Sequence, residues 1–315
     1  MTETIVANTF LTFSAIGNRE DLSNIIYNID SVETPFQKAI DKVKATATLH
    51  EWQSQALASA ANNAQVQSAD VTFAAVTPTV RLTNRTQISR KEVVIGGTQE
   101  AVDKAGRESE MTYQLLLKSK ELRRDIEVVL TGNRAPVTGD STTAPQLRPL
   151  CSWYATNDNR DATSGADGST TTAATDSSGT RALTEDLLKN VLQLCWTAGG
   201  SPDMIMVGPF NKGRISSFAG NATRTIDATK GKLIAGIDVY EGDFGTQKVV
   251  ASRFSRDRDC HVLDTSLWAL ATLRPMKTED LAKTGDAEKA MVLTEYTLES
   301  RQEKGSGIVA DLTTA

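Results

Sequence analysis

The apolar positions of the chain follow three different rhythms. Residues 108–130 carry Met111, Leu115, Leu122, Ile126, Val129 and Leu130 at spacings near three, four and seven. That stripe predicts one long amphipathic helix, flanked by the charges Lys118, Lys120, Glu121, Arg123, Arg124, Asp125 and Glu127 and stopped by Gly132 and Asn133. A shorter helix is predicted after Thr34 (N-cap) and Pro35, with Phe36, Ala39, Ile40 and Val43 on one face. Another follows Thr184, turning Leu187, Leu188, Val191, Leu192 and Cys195 inward until Gly199 and Gly200, and Pro209 opens a third that runs through Phe218. Residues 20–29 also have helical spacing, through Leu22, Ile25, Ile26 and Ile29, while 8–16 read as extended. Period-two alternation marks residues 48–52, expected to pair with 80–86 or with 87–94. Further strands are predicted at 203–207, 232–240, 246–252 and 290–299, with two apolar runs within 262–273 and an apolar tail at Ile308 and Val309. Helices and strands interleave without a regular βαβ repeat, so the fold class is α+β.

The third rhythm is the near absence of large apolar residues. Residues 54–78 offer only Leu57, Val66, Val71, Phe73 and Val76 among Ala, Asn, Gln, Ser and Thr. Such a segment cannot offset its own ordering entropy. It is expected to be a long two-stranded excursion that lies on something else, with Gly96 and Gly97 closing the hairpin region. Residues 1–45 read as an arm. Residues 147–155 form an ordered island around Trp153 and Tyr154, and 162–180, almost wholly Ala, Ser, Thr, Gly and Asp, read as an exposed loop or linker.

Composition narrows the function classes. Aromatics make up 5% of the 315 residues and the net charge is -5. A fold that grips nucleic acid through its surface is usually basic, so DNA contact, if present, is weak and reads no sequence. Cys151, Cys195 and Cys260 form no CxxC pair, so neither a zinc site nor a disulfide framework is suggested. No signal peptide is evident, and no run approaches the ~20 apolar residues of a membrane-spanning helix.

Chemistry is sparse. His50 and His261 are the only histidines, and neither has a metal ligand at suitable local spacing. Cys260 adjoins His261, but neighbouring strand residues point to opposite faces. Asp257-Arg258-Asp259, and Asp161 with Asp167, do not match a calcium loop and are expected in surface loops. No catalytic, cofactor-binding or metal-binding residue is assigned. The candidate subunit-interface residues are Trp52, Arg81, Arg85, Arg90, Arg123 and Arg124; for the strand arginines, with Lys91, interface ion pairs and a nucleic-acid patch both fit. An arm, a coreless excursion and no reaction centre describe a subunit that completes itself against neighbours.

The stretch TFLTFSAIGNREDLSNIIYNIDSVETPF from Thr9 to Phe36 resembles the start of the phage major capsid proteins with the Hong Kong 97-type fold. So do the residues from Leu49 to Gln53, Gly97 to Gly106 with Ser109-Glu110, Trp153 to Asn157, Asp243-Phe244-Gly245 and Leu281 to Asp286, in order along the chain. The resemblance implies an N-terminal arm (1–45), an extended loop (46–98), a peripheral domain (99–183) with its spine helix, an axial domain (184–275) and return strands (276–315). It implies a subunit that forms hexamers and pentamers of an icosahedral or prolate head around double-stranded DNA. The partners would be other copies of itself, a portal and, where used, scaffold or decoration proteins, with no membrane and no cofactor. Assembly would take place in the host cytoplasm and the product would be the virion. Some relatives bond a loop lysine covalently to a neighbour's asparagine. Here residues 45–90 contain no lysine, so an uncross-linked shell is expected. The matched region begins within about ten residues of Met1, so any scaffold is expected to be a separate protein. The competing readings are a tail-tube or surface-array subunit, and an enzyme whose site would be a cleft of buried titratable groups.

Overall fold

The computed structural model describes residues 32–68, 70–71, 73, 75–161, 163–218 and 238–314. The expectations for 8–16, 20–29 and most of 232–240 lie outside them. In chain order the elements are α1 (Pro35–Ala39), β1 (Asp41–Lys44), β2 (Leu49–Ser54), β3 (Val80–Arg85), β4 (Gln87–Gly96), α2 (Gly97–Ala101), α3 (Glu110–Thr131), α4 (Leu150–Trp153), β5 (Asp158–Asn159), α5 (Glu185–Thr197), β6 (Met204–Val207), α6 (Pro209–Ser216), β7 (Val239–Gly242), β8 (Gly245–Ala251), β9 (Cys260–Leu263), β10 (Trp268–Leu281), β11 (Ala287–Ser300) and β12 (Gly307–Val309).

The strands form a four-stranded sheet in the order β1-β10-β11-β4, a six-stranded sheet in the order β5-β12-β9-β6-β8-β7, and the β2-β3 pair. Strand β6 is buried at every position because it separates two cores. Met204 and Met206 face the core of α1, α3, Trp268 and Tyr296. Ile205 and Val207 face the core of α5, α6 and Val262. A continuous apolar run, rather than alternation, is what a strand covered on both faces requires. Strand β10 contains Pro275, which has no N–H for the ladder; the register with β11 shifts between Arg274 and Lys277, where the proline sits.

Helix α3 starts where Ser109 accepts a hydrogen bond from the Thr112 amide and runs about 33 Å. Only Leu122, Ile126 and Leu130 of its stripe are fully buried. The N-terminal half is more open, and Lys91 of β4 reaches Asp125 in the second half at 2.7 Å. Glu127, expected among the solvated flanking charges, is fully buried. It accepts from the Phe36 and Gln37 amides at 2.7 and 3.1 Å, so it caps α1 from across the structure.

Three other expectations are corrected. Helix α1 ends at Ala39, which is exposed, and Val43 belongs to β1 because residues 41–44 pair in parallel with β10. Gly97 does not end a hairpin; it opens α2, with its amide donating to the Asp286 carbonyl at 3.0 Å. Residues 163–180 are a mostly exposed loop, as expected, but one tied to the body rather than a free linker. Asn133 bonds both the amide and carbonyl of Ala174, and the Ser177 amide donates to the buried Asp311 carboxylate at 2.8 Å. Some of this loop's polar groups find distant partners, which its small apolar content does not reveal.

Candidate assembly surface

Strand β2 pairs with β3, not β4, in antiparallel register from Leu49 opposite Arg85 to Ser54 opposite Val80. The base of this hairpin is fastened to the body by buried polar contacts. The Asn84 side-chain amide donates to the carbonyls of Leu298 and Arg148, at 2.7 and 3.1 Å, and its oxygen accepts from the Arg148 amide at 2.8 Å. The Trp52 indole donates to the Ser300 carbonyl at 2.7 Å, and its ring meets Trp153 and His50. His50 lies 2.8 Å from Glu299. Arg148 stacks over Trp153 at 4.1 Å, and burial lowers its guanidinium to about 10.

Beyond Ser54 this support ends. Among the described residues of 55–79 there is no strand, so the expected two-stranded excursion is paired only at its root. Leu57 is 97% exposed and Phe73 91%, and Val66, Val71 and Val76 are nearly as open. Large apolar side chains are thus left exposed beyond a braced stem.

The structure places the six candidate interface residues in different settings. Trp52 is half-buried and engaged within its own chain. Arg81 is exposed on β3 and pairs loosely with Glu51 at 3.6 Å. Arg85 is half-buried in a cleft beside Leu49, Pro136 and Val137. Arg90 is exposed on β4 and pairs with Glu92 at 2.8 Å. Arg123 is exposed on α3, whereas Arg124, one residue on, lies over the Phe254 ring at 5.4 Å. Arg81 and Arg85 share the hairpin, and Arg123 and Arg124 share the helix; they do not converge on one patch.

Cys260 and His261 face opposite sides, as expected, and Asp167 and Asp257 are exposed, but the surface-loop expectation fails at Asp259. Cys260 points into the second core, and His261 stacks on Tyr154 on the other face of β9. His261 instead meets Cys151 and Asp259. Asp259 is completely buried, and its loop is a network rather than a surface turn: Arg256 reaches Asp259 and Asp176, and Arg258 reaches Asp311. Cys151 lies 108 residues before Asp259, so no local spacing announces this meeting. The three side chains are each 1% exposed or less, so they offer no cleft to a substrate.

Comparisons with known proteins agree with this architecture. The family model for the SU10 major capsid protein matches residues 5–313. The major capsid protein of Escherichia phage Phieco32 is 26% identical over 339 aligned positions, covering 95% of this chain and 96% of that protein. Among solved structures, the capsid of a native GTA particle superposes with TM-score 0.61 at 9% identity, over 96% of this chain and 97% of the other. A structure from Gordonia phage Cozz gives 0.61 at 8% identity over 100% and 99%. The major capsid and decoration proteins of phage G give 0.55 at 10%, over 95% and 100%. These likenesses show the Hong Kong 97-type α+β fold, and with a match across nearly its whole length the chain belongs to the SU10 major capsid protein family.

Proposed function

We propose that this capsid subunit closes into a phage head as hexamers and pentamers, enclosing double-stranded DNA, with its hairpin tip lying across an adjacent copy. The observation that carries this reading is the contrast within residues 49–85: a root locked by Asn84 and Trp52, and a tip whose Leu57 and Phe73 touch almost nothing in their own chain. Each tip contact is modest, but every subunit gives and receives several, and closure multiplies them. The region 184–275 is assigned to the axial contacts at capsomer centres. Residues 99–183 and 276–315 form the periphery, and 1–45 the arm. Arg81, Arg85, Arg90, Arg123 and Arg124 are assigned to contacts with neighbouring copies, with Trp52 bracing the stem. Portal and decoration partners dock on the assembled shell, and the net charge of -5 keeps the packaged DNA ungripped. The role is structural rather than enzymatic.

Because residues 45–90 carry no lysine, the shell is held without amide cross-links from this loop. Overexpressed full-length chain, viewed by electron microscopy and then run on a denaturing gel, tests both points. Closed shells that dissolve to a single band near 33.9 kDa are expected. Tubes or flat sheets would favour a tail-tube or surface-array role, and a ladder of heavier bands would refute the uncross-linked shell.

A further inference from the structure

We propose that Cys151, Asp259 and His261 form a buried binding site for a divalent transition-metal ion of the zinc class, fastening α4 to β9. Their ligand atoms all lie within 4.8 Å of one another. Asp259 and His261 are two residues apart on extended chain, so both face the same side, and Cys151 meets them from α4. A thiolate, an imidazole and a carboxylate are the donor types of tetrahedral zinc sites, with one position left for water.

The second observation is what these groups lack. Both ring nitrogens of His261 have no hydrogen-bond partner, and neither has Asp259 Oδ1. The Tyr154 hydroxyl beside them is also unpartnered. Unpaired polar atoms in a sealed interior are costly and uncommon, and each calls for an occupant. A water would answer one or two of them. An ion answers one imidazole nitrogen and the carboxylate oxygen together, with the Cys151 thiolate as its third ligand.

The surrounding charges permit a cation. Cys151 Sγ donates to Asp259 Oδ2 at 3.4 Å, and the ion takes the place of that proton, which leaves to solvent. Thiolate and carboxylate then offset the two positive charges. Arg256, at 3.0 Å from Asp259, and Arg160 oppose the cation, while Asp176 pairs with Arg256 and moderates it. Burial, with those two arginines, lowers the His261 imidazole to about 3 and so keeps it in the neutral form that ligates. Uptake of the ion releases the thiol proton, so binding weakens as pH falls.

Full-length chain, stripped by a chelator and refolded with Co(II) alone, provides the test. About one equivalent should bind, giving a thiolate-to-cobalt charge-transfer band that Zn(II) abolishes, and X-ray absorption should show one sulfur and at least one imidazole. Zn(II) should raise the melting midpoint by about 5 °C or more. Cys151→Ser should lose the band, while Cys195→Ser and Cys260→Ser keep it. Folded wild type with no thiolate band, or a band that survives Cys151→Ser, overturns the site. The absorption spectrum of wild type decides the matter even if the serine variant fails to fold.

Discussion

Glu127 shows how one residue can settle the placement of a distant segment. Its carboxylate accepts from the backbone and side chain of Gln37 and from the backbone of Phe36, which seats α1 on α3. Burial raises its pKa above the ordinary value of about 4.5, and the hydrogen bonds only partly oppose this. The folded chain therefore binds the proton more tightly than the unfolded chain, and stability contributed through this titration is lost as pH rises through the raised pKa. Relative to Glu127→Gln, wild type should gain stability as pH falls from neutral toward 4.5, read from melts of unassembled chain across a pH series. A loss over that range would show that bonding to the ionised form dominates. Glu127→Ala, which orphans two amides, should cost about 1–3 kcal/mol. None of this could be read from the sequence, where Glu127 is one of seven charges flanking the stripe and its partners lie about 90 residues away.

At the level of elements, legibility followed the source of stability. Helices α3 and α5 were readable because their buried residues recur at 3.6-residue spacing within one segment, as in Leu188, Val191, Leu192 and Cys195. Strand β6 was readable because both its faces are buried. The order within the loop at 163–180 was not, because it comes from Asn133 and Asp311 far along the chain. The hairpin was half legible. Its roots alternate, but its expected second strand pair does not continue into the tip. Root and tip are therefore separable by mutation. Asn84→Ala removes three buried hydrogen bonds and should destabilise the isolated subunit by on the order of 3 kcal/mol in denaturant unfolding. Phe73→Ser should leave that curve within about 0.5 kcal/mol of wild type, since the ring is exposed, yet slow or prevent shell formation in light scattering. Equal effects of the two variants on folding would mean that the tip packs within its own chain.

At the scale of the whole molecule, two cores lie on either face of one sheet, with β6, β9 and β12 contributing to both, and the exposed Leu57 and Phe73 lie outside them. Family membership and the Hong Kong 97-type fold make the chain a capsid protein; that the exposed tip holds copies together is our proposal. Cys151, Asp259 and His261 lie on the near side of β9, beside the α3 core, where an ion would stiffen the body without touching the tip. If both proposals hold, changes at the tip should leave the metal site intact, and the reverse. The most direct measurement is a cryo-electron microscopy map of assembled particles at side-chain detail. The account predicts a closed shell in which Leu57 and Phe73 of every subunit are buried against an adjacent copy. A closed shell in which those side chains still face solvent would contradict it.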